Sequence, residues 1–199
     1  MHGVWRWLCA CVLAWTLVTH AAIPEVKVTH FPNMAAQIQY FEDSSVVIWH
    51  DAVDGIVYRS ADEGKSWAPI KGPVQGEAHL FVLHPYDKTQ AYILTRSNQH
   101  WRTSNRGETW QSFSTPHPPT TLKAMPLDFH PTHHDWILFT GQACTVNLFR
   151  KVCHDVAYYT TDGFISDAHP LLDRVEQCHW AKMTPQVAVP EALTQRVLC

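Results

Sequence analysis

SADEGKSW at residues 60–67 and TSNRGETW at residues 103–110 are two copies of one pattern, Ser/Thr-x-Asp/Asn-x-Gly-x-Ser/Thr-Trp. They begin about 43 residues apart, the length of one four-stranded propeller blade. A turn that repeats at that period predicts small sheets packed side by side rather than a single-core enzyme.

The pattern is an Asp-box, and its residue types have a physical logic. Asp62 and Asn105 accept hydrogen bonds from N–H groups of their own turn. Gly64 and Gly107 supply a positive φ without steric cost. Ser60, Ser66, Thr103 and Thr109 offer hydroxyls to the remaining turn groups. Trp67 and Trp110 are expected to open the next strand and pack inward as apolar anchors. The polar atoms are consumed locally, so these residues are expected to be structural rather than catalytic. A degenerate third copy lies in YTTDGF, residues 159–164. Thr160 and Asp162 keep the spacing, Gly163 comes one position early, and no Trp follows. The Asp-Gly step still reads as a hairpin turn.

Apolar and β-branched runs fall between these turns. Strands are expected at 44–50, 56–60 and 67–70, then at 78–83, 91–95, 99–103 and 110–113. A third unit repeats the layout with strands at 122–129, 135–140 and 156–161. Its His130-Pro131 turn matches His84-Pro85 of the second unit. An insertion at 141–154 interrupts it, and 178–180 reads as the opening of another blade. Strong helical periodicity is absent. The fold class is therefore all-β, a partial β-propeller of four-stranded blades with Asp-box (BNR-type) turns. Residues 22–199 hold about three to four blades, where closed rings take about four to eight. The chain is thus expected to be the N-terminal portion of a larger ring, or a truncated product.

Residues 1–21 read as a secretory signal peptide. Arg6 gives a positive start, residues 8–18 an apolar core, and Ala21-Ala22 small residues for cleavage. That apolar run is shorter than the roughly 20 residues of a spanning helix. Cys9 and Cys11 leave with the leader, and Cys144, Cys153, Cys178 and Cys199 remain. Four cysteines in an oxidising compartment allow three disulfide connectivities. Cys144–Cys153 with Cys178–Cys199 is favoured because each closes a local loop. The spacings are not those of a zinc knuckle. No Asn-x-Ser/Thr sequon is present. The formal charge of −3 argues against a nucleic-acid partner. No cofactor and no metal are expected.

The leader, the two Asp-boxes, the His-Pro turns and DWILFTG at 135–141 occur together with Cys144, Cys153, AYYTTDGF at 157–164 and CHWA at 178–181. In this combination the chain resembles the N-terminal part of the luminal domain of fungal sortilin-like vacuolar sorting receptors. The most specific element is the cysteine-bearing insertion ahead of the Tyr-Tyr-Thr-Thr-Asp-Gly-Phe stretch. The resemblance implies a ten-bladed propeller followed by cysteine-rich modules, a membrane span and a cytosolic tail. It implies soluble vacuolar hydrolase precursors of the carboxypeptidase Y type as protein cargo. It places the receptor in the Golgi and the prevacuolar endosome. Membrane association would come only from a C-terminal span outside this sequence.

Two other functions share the Asp-box signature. A secreted glycoside hydrolase needs two carboxylates flanking a sugar, or a sialidase-type arginine cluster. Asp51, Asp54, Glu77 and Asp128 are candidate carboxylates that nothing in the sequence pairs, and Arg59 and Arg102 sit at equivalent repeat positions. A non-catalytic adhesion or structural propeller is the other alternative. The favoured expectation is a cargo-binding receptor without enzymatic activity. The chain holds 14 His. His133-His134-Asp135 reads as a solvated loop rather than a metal cluster, and His-rich loops are expected to weaken cargo binding at acid pH.

Overall fold

The structure, a computed structural model, describes residues 26–35, 38–72, 76–121, 125–148, 150–181 and 195–199. The expected leader, residues 1–21, lies outside them. Among the described residues there is no helix, and so none long and apolar enough to cross a membrane.

Three four-stranded antiparallel sheets follow one another along the chain. Blade 1 contains β1 (Ile38–Tyr40), β2 (Val47–Asp51), β3 (Ile56–Ser60) and β4 (Ala68–Pro69), paired in chain order. Blade 2 contains β5 (Leu80–Leu83), β6 (Ala91–Leu94), β7 (Gln99–Thr103) and β8 (Gln111–Ser114). Blade 3 contains β9 (Leu127–Phe129), β10 (Ile137–Asn147), β11 (Arg150–Thr160) and β12 (His169–Asp173). A two-stranded sheet of β13 (His179–Trp180) and β14 (Val197–Leu198) follows.

The hydrophobic cores lie between blades, which is why the middle strands are apolar on both faces. Side chains alternate along a strand, so β6 serves two cores. Ala91 and Ile93 join Ile48, Val57 and Ile70 of blade 1. Tyr92 and Leu94 join Ile137, Phe139 and Tyr158 of blade 3. Leu138 and Ala157, on the far face of blade 3, pack with Trp180 of the terminal sheet. The free face of blade 1 is covered by the N-terminal segment. The Phe31 ring packs tilted against Trp49 with centroids 4.1 Å apart, and Asn33 Nδ2 donates to Asp51 (2.8 Å) and Asp54 (2.9 Å).

Two features differ from the sequence expectation. The insertion expected at 141–154 does not interrupt the sheet among the described residues. Its residues prolong β10 and β11 into one hairpin of eleven paired residues on each strand. Cys144 and Cys153 sit directly opposite in its register and are disulfide-bonded. The stretch lacks a Gly-rich turn signal and mixes apolar and polar residues without strict alternation, so periodicity alone did not mark it as strand. The other difference is β1, three residues long and largely exposed, whose pairing with β2 comes from tertiary context. The second disulfide joins Cys178 to Cys199 and closes the terminal sheet.

Candidate functional site

The Asp-boxes occupy the turns between the third and fourth strands of each blade. In the first, Ser60 Oγ donates to Asp62 Oδ1 at 2.7 Å and accepts from Gly64 N at 2.8 Å. Asp62 also accepts from Ser66 N (2.8 Å) and Ser66 Oγ (2.6 Å). These bonds, the Ser66 hydroxyl first, hold the Asp62 carboxyl below the usual carboxylate range. The second box repeats the set. Thr103 Oγ1 bonds Asn105 Oδ1 and Gly107 N, and Thr109 N donates to Asn105 Oδ1. Two consecutive residues are left-handed in each turn, Glu63–Gly64 and Arg106–Gly107.

Trp67 and Trp110 do not enter the core as the sequence suggested. Each is half-buried, lies over its own turn glycine, and donates Nε1–H to that glycine's carbonyl (2.9 and 3.2 Å). An indole that must place its N–H on a turn carbonyl cannot also be driven between the sheets. Trp110 still touches the core between blades 1 and 2 with one edge.

The third box is more complete than its sequence. Gly163 takes the place of Glu63 and Arg106, and Phe164 takes the glycine place with φ 67°. Thr160 Oγ1 accepts from Phe164 N, and Ser166 N and Oγ donate to Asp162. Phe164 is buried and stacks on Phe113 of blade 2 at 4.6 Å. That burial offsets the left-handed conformation, which a bulky residue adopts at a cost of about 1–3 kcal/mol. Ser166 was the signal that sequence reading missed.

The second and third Asp-boxes each also receive an arginine from the preceding blade. Arg59 Nε donates to Arg106 O at 3.0 Å, and Arg102 Nη1 to Gly163 O at 2.8 Å. These two guanidiniums are committed to blade-to-blade bonds rather than to one anion.

The histidines fall into two environments. His50, His84, His100 and His130 are buried. His84 Nδ1 accepts from Tyr86 N and Asp87 N, while Nε2 reaches His134 O of blade 3 at 2.9 Å. His130 Nδ1 accepts from Thr132 N and His133 N in the equivalent turn. His100 Nδ1 accepts from Thr95 N, and Nε2 donates to Thr115 Oγ1 at 2.9 Å. Burial pushes His100 down to about 4, and lowers His84 and His50. His133 stacks on Trp136 at 4.5 Å, and His134 lies 3.7 Å from Asp87. Among the described residues no group of three or more His, Cys, Asp or Glu is arranged to hold a metal ion.

A cleft of about 550 Å³ lies between blades 1 and 2, a size usual for ligand sites. The β2–β3 and β6–β7 turns form its walls. Glu77, His79 and Arg96 are its charged or titratable residues, and Arg96 Nε lies 3.3 Å from His79 Nδ1. Glu77 is the one carboxylate among the described lining residues. Asp51 and Asp54 converge on Asn33 rather than on the cleft. Asp51 Oδ1 further accepts from Val53 N and Asp54 N. Asp128 lies in blade 3, where it accepts from Trp180 N.

A family model described as "Sortilin, neurotensin receptor 3" matches residues 55–199. The chain belongs to the Sortilin-Vps10 family. A vacuolar protein sorting/targeting protein 10 of Mycosarcoma maydis is 47% identical over 185 residues, 91% of this chain. Its counterpart in Laccaria bicolor is 40% identical over 160 residues, 79% of this chain. The chain spans 12% and 11% of the lengths of these two Sortilin-Vps10 relatives. Among solved structures, a xyloglucanase from Xanthomonas campestris aligns with TM-score 0.45 and 14% identity, over 64% of this chain and 19% of that one. An overlap that loose carries no functional argument.

Proposed function

We propose that this chain is luminal, cargo-binding sequence of a vacuolar sorting receptor, with residues 1–21 as its signal peptide. The observation that carries the reading is the 47% identity with a vacuolar sorting/targeting protein over nearly the whole chain. The cargo would be soluble hydrolase precursors of the carboxypeptidase Y type, taken up in the late Golgi and delivered to the prevacuolar endosome. The receptor's membrane span would lie C-terminal to this sequence.

The chemistry of the chain supports a binding role without catalysis. Asp-box polar groups are saturated within their turns, Arg59 and Arg102 tie blades together, and the cleft holds one carboxylate. Glu77, His79 and Arg96 are the charged or titratable groups that would meet cargo there. The test is interferometry of the immobilised chain against a purified carboxypeptidase Y-type precursor and its mature form. Saturable binding that prefers the precursor, and that Arg96→Glu weakens about tenfold, is expected for loss of a charged contact. Absence of binding together with release of reducing sugar from a glucan would favour a hydrolase.

A further inference from the structure

The β10–β11 hairpin stands clear of its own blade. Both strands are eleven residues long, yet β9 pairs only with residues 137–139 and β12 only with 156–159. The direction of the main-chain groups in the outer half follows from two bonds. Gln142 N–H points away from β11 and donates to Pro118 O at 2.8 Å. Asp155 C=O points away from β10 and accepts from Val175 N at 3.1 Å. In an antiparallel ladder the outward groups recur at every second residue. Lys151 and Cys153 therefore turn their N–H and C=O outward along the β11 edge. Among the described residues no backbone group closes on either.

We propose that this β11 edge is a docking strand that takes up an extended, acidic segment of another polypeptide as a further strand of the sheet. Three observations favour that occupant. The edge is held ready, because the Cys144–Cys153 bond joins the two strands at directly opposed positions and so lowers the ordering cost of binding. Its side chains are apolar and cationic. Val152 is 46% exposed, and Arg150 and Lys151 have no described acidic partner. The nearby carboxylates are occupied. Asp155 is buried and takes the Thr120 hydroxyl, while Asp173 faces His154 at 2.8 Å and Arg174 at 3.8 Å. Main-chain pairing supplies affinity in such strand addition, and the facing side chains supply selectivity. The proposal holds whether or not the acidic polypeptide is sorting cargo.

A lysine on an open edge can instead keep strands apart, and the experiment separates the two roles. The probe is a fluorescent seven-residue peptide alternating glutamate and valine, with a lysine–valine peptide as its counterpart, read by anisotropy on the full chain. The acidic peptide is expected to bind saturably and the basic one not. Lys151→Gln removes the charge and keeps the N–H, and should weaken binding about threefold, as for a solvent-facing ion pair. Lys151→Pro also removes the outward N–H without touching the inner ladder, and should weaken binding about tenfold more. The acidic peptide N-methylated at alternate residues should fail in the same way on the unaltered protein. Equal binding of both peptides overturns the proposal. So does identical behaviour of Lys151→Pro and Lys151→Gln together with undiminished binding of the N-methylated peptide. Peptide-free dimerisation that Lys151→Pro abolishes would assign the edge to a second copy and equally overturn it.

Discussion

Acidification should weaken this fold through His100 before the hydrogen-bonded Asp62 and Asp162 carboxylates are protonated. His100 has no solvent exposure, its Nδ1 accepts from Thr95 N, and its Nε2 donates to Thr115 Oγ1. The neutral ring fits that arrangement, whereas a second ring proton would confront a backbone N–H. Its folded value is about 4 against 6.5 in the unfolded chain. The folded state then binds fewer protons between these values. The stabilisation is full above 6.5 and is lost as pH falls through about 4. At 1.36 kcal/mol per pH unit, the loss between pH 7.5 and pH 5 is about 2 kcal/mol from this ring alone. His50 and His84 act in the same direction. The lowered Asp51, Asp62, Asp87 and Asp162 release their stabilisation only further into acid. The assay is urea unfolding followed by Trp fluorescence, at pH 7.5, 6 and 5. His100→Asn should lower stability at pH 7.5 by about 2 kcal/mol and flatten the pH dependence by a similar amount. Stability that held level from pH 7.5 to 5, or a slope untouched by His100→Asn, would refute the reasoning.

Three further substitutions probe the blades. Gly107→Ala places a Cβ 3.4 Å from Trp110 at φ 74°; urea midpoints should show a loss of about 1–3 kcal/mol. Arg102→Ala removes the bond to Gly163 O and should cost about 1.5–3 kcal/mol. Arg102→Lys should not restore it, since one ammonium cannot serve both Gly163 O and Gln111 Oε1. Replacing Cys178 and Cys199 by serine opens a loop of sequence separation 21 and should cost about 3 kcal/mol, read from the thermal midpoint with the Cys144–Cys153 bond intact.

The blade plan was legible because the signals that encode it are local. Turn chemistry at 60–67 and 103–110, with two-sided apolar runs such as 91–94, places three sheets by spacing alone. Ser166 and Phe164 show the limit of that reading. The third turn keeps its hydrogen bonds while its glycine is displaced, and only packing against Phe113 explains why a phenylalanine can stand there. Residues 141–154 were illegible as strand because their apolar residues do not alternate, although the backbone ladder runs unbroken through the opposed cysteine pair. The blade-to-blade arginines and the buried imidazoles were equally hidden. Arg59 looked like surface and the His-Pro turns looked like loops, since their partners are backbone carbonyls and N–H groups about 50 residues away or in the turn itself. The cleft between blades 1 and 2 arises from two turns that no motif marks.

The central claim is that this chain carries protein-binding sequence of a sorting receptor. The most direct measurement is equilibrium binding of a purified carboxypeptidase Y-type precursor to the immobilised chain, with the mature enzyme and Arg96→Glu as controls. The account predicts saturable binding that favours the precursor and weakens with Arg96→Glu. A chain that unfolds cooperatively in urea, and is therefore folded, yet binds neither form would contradict it.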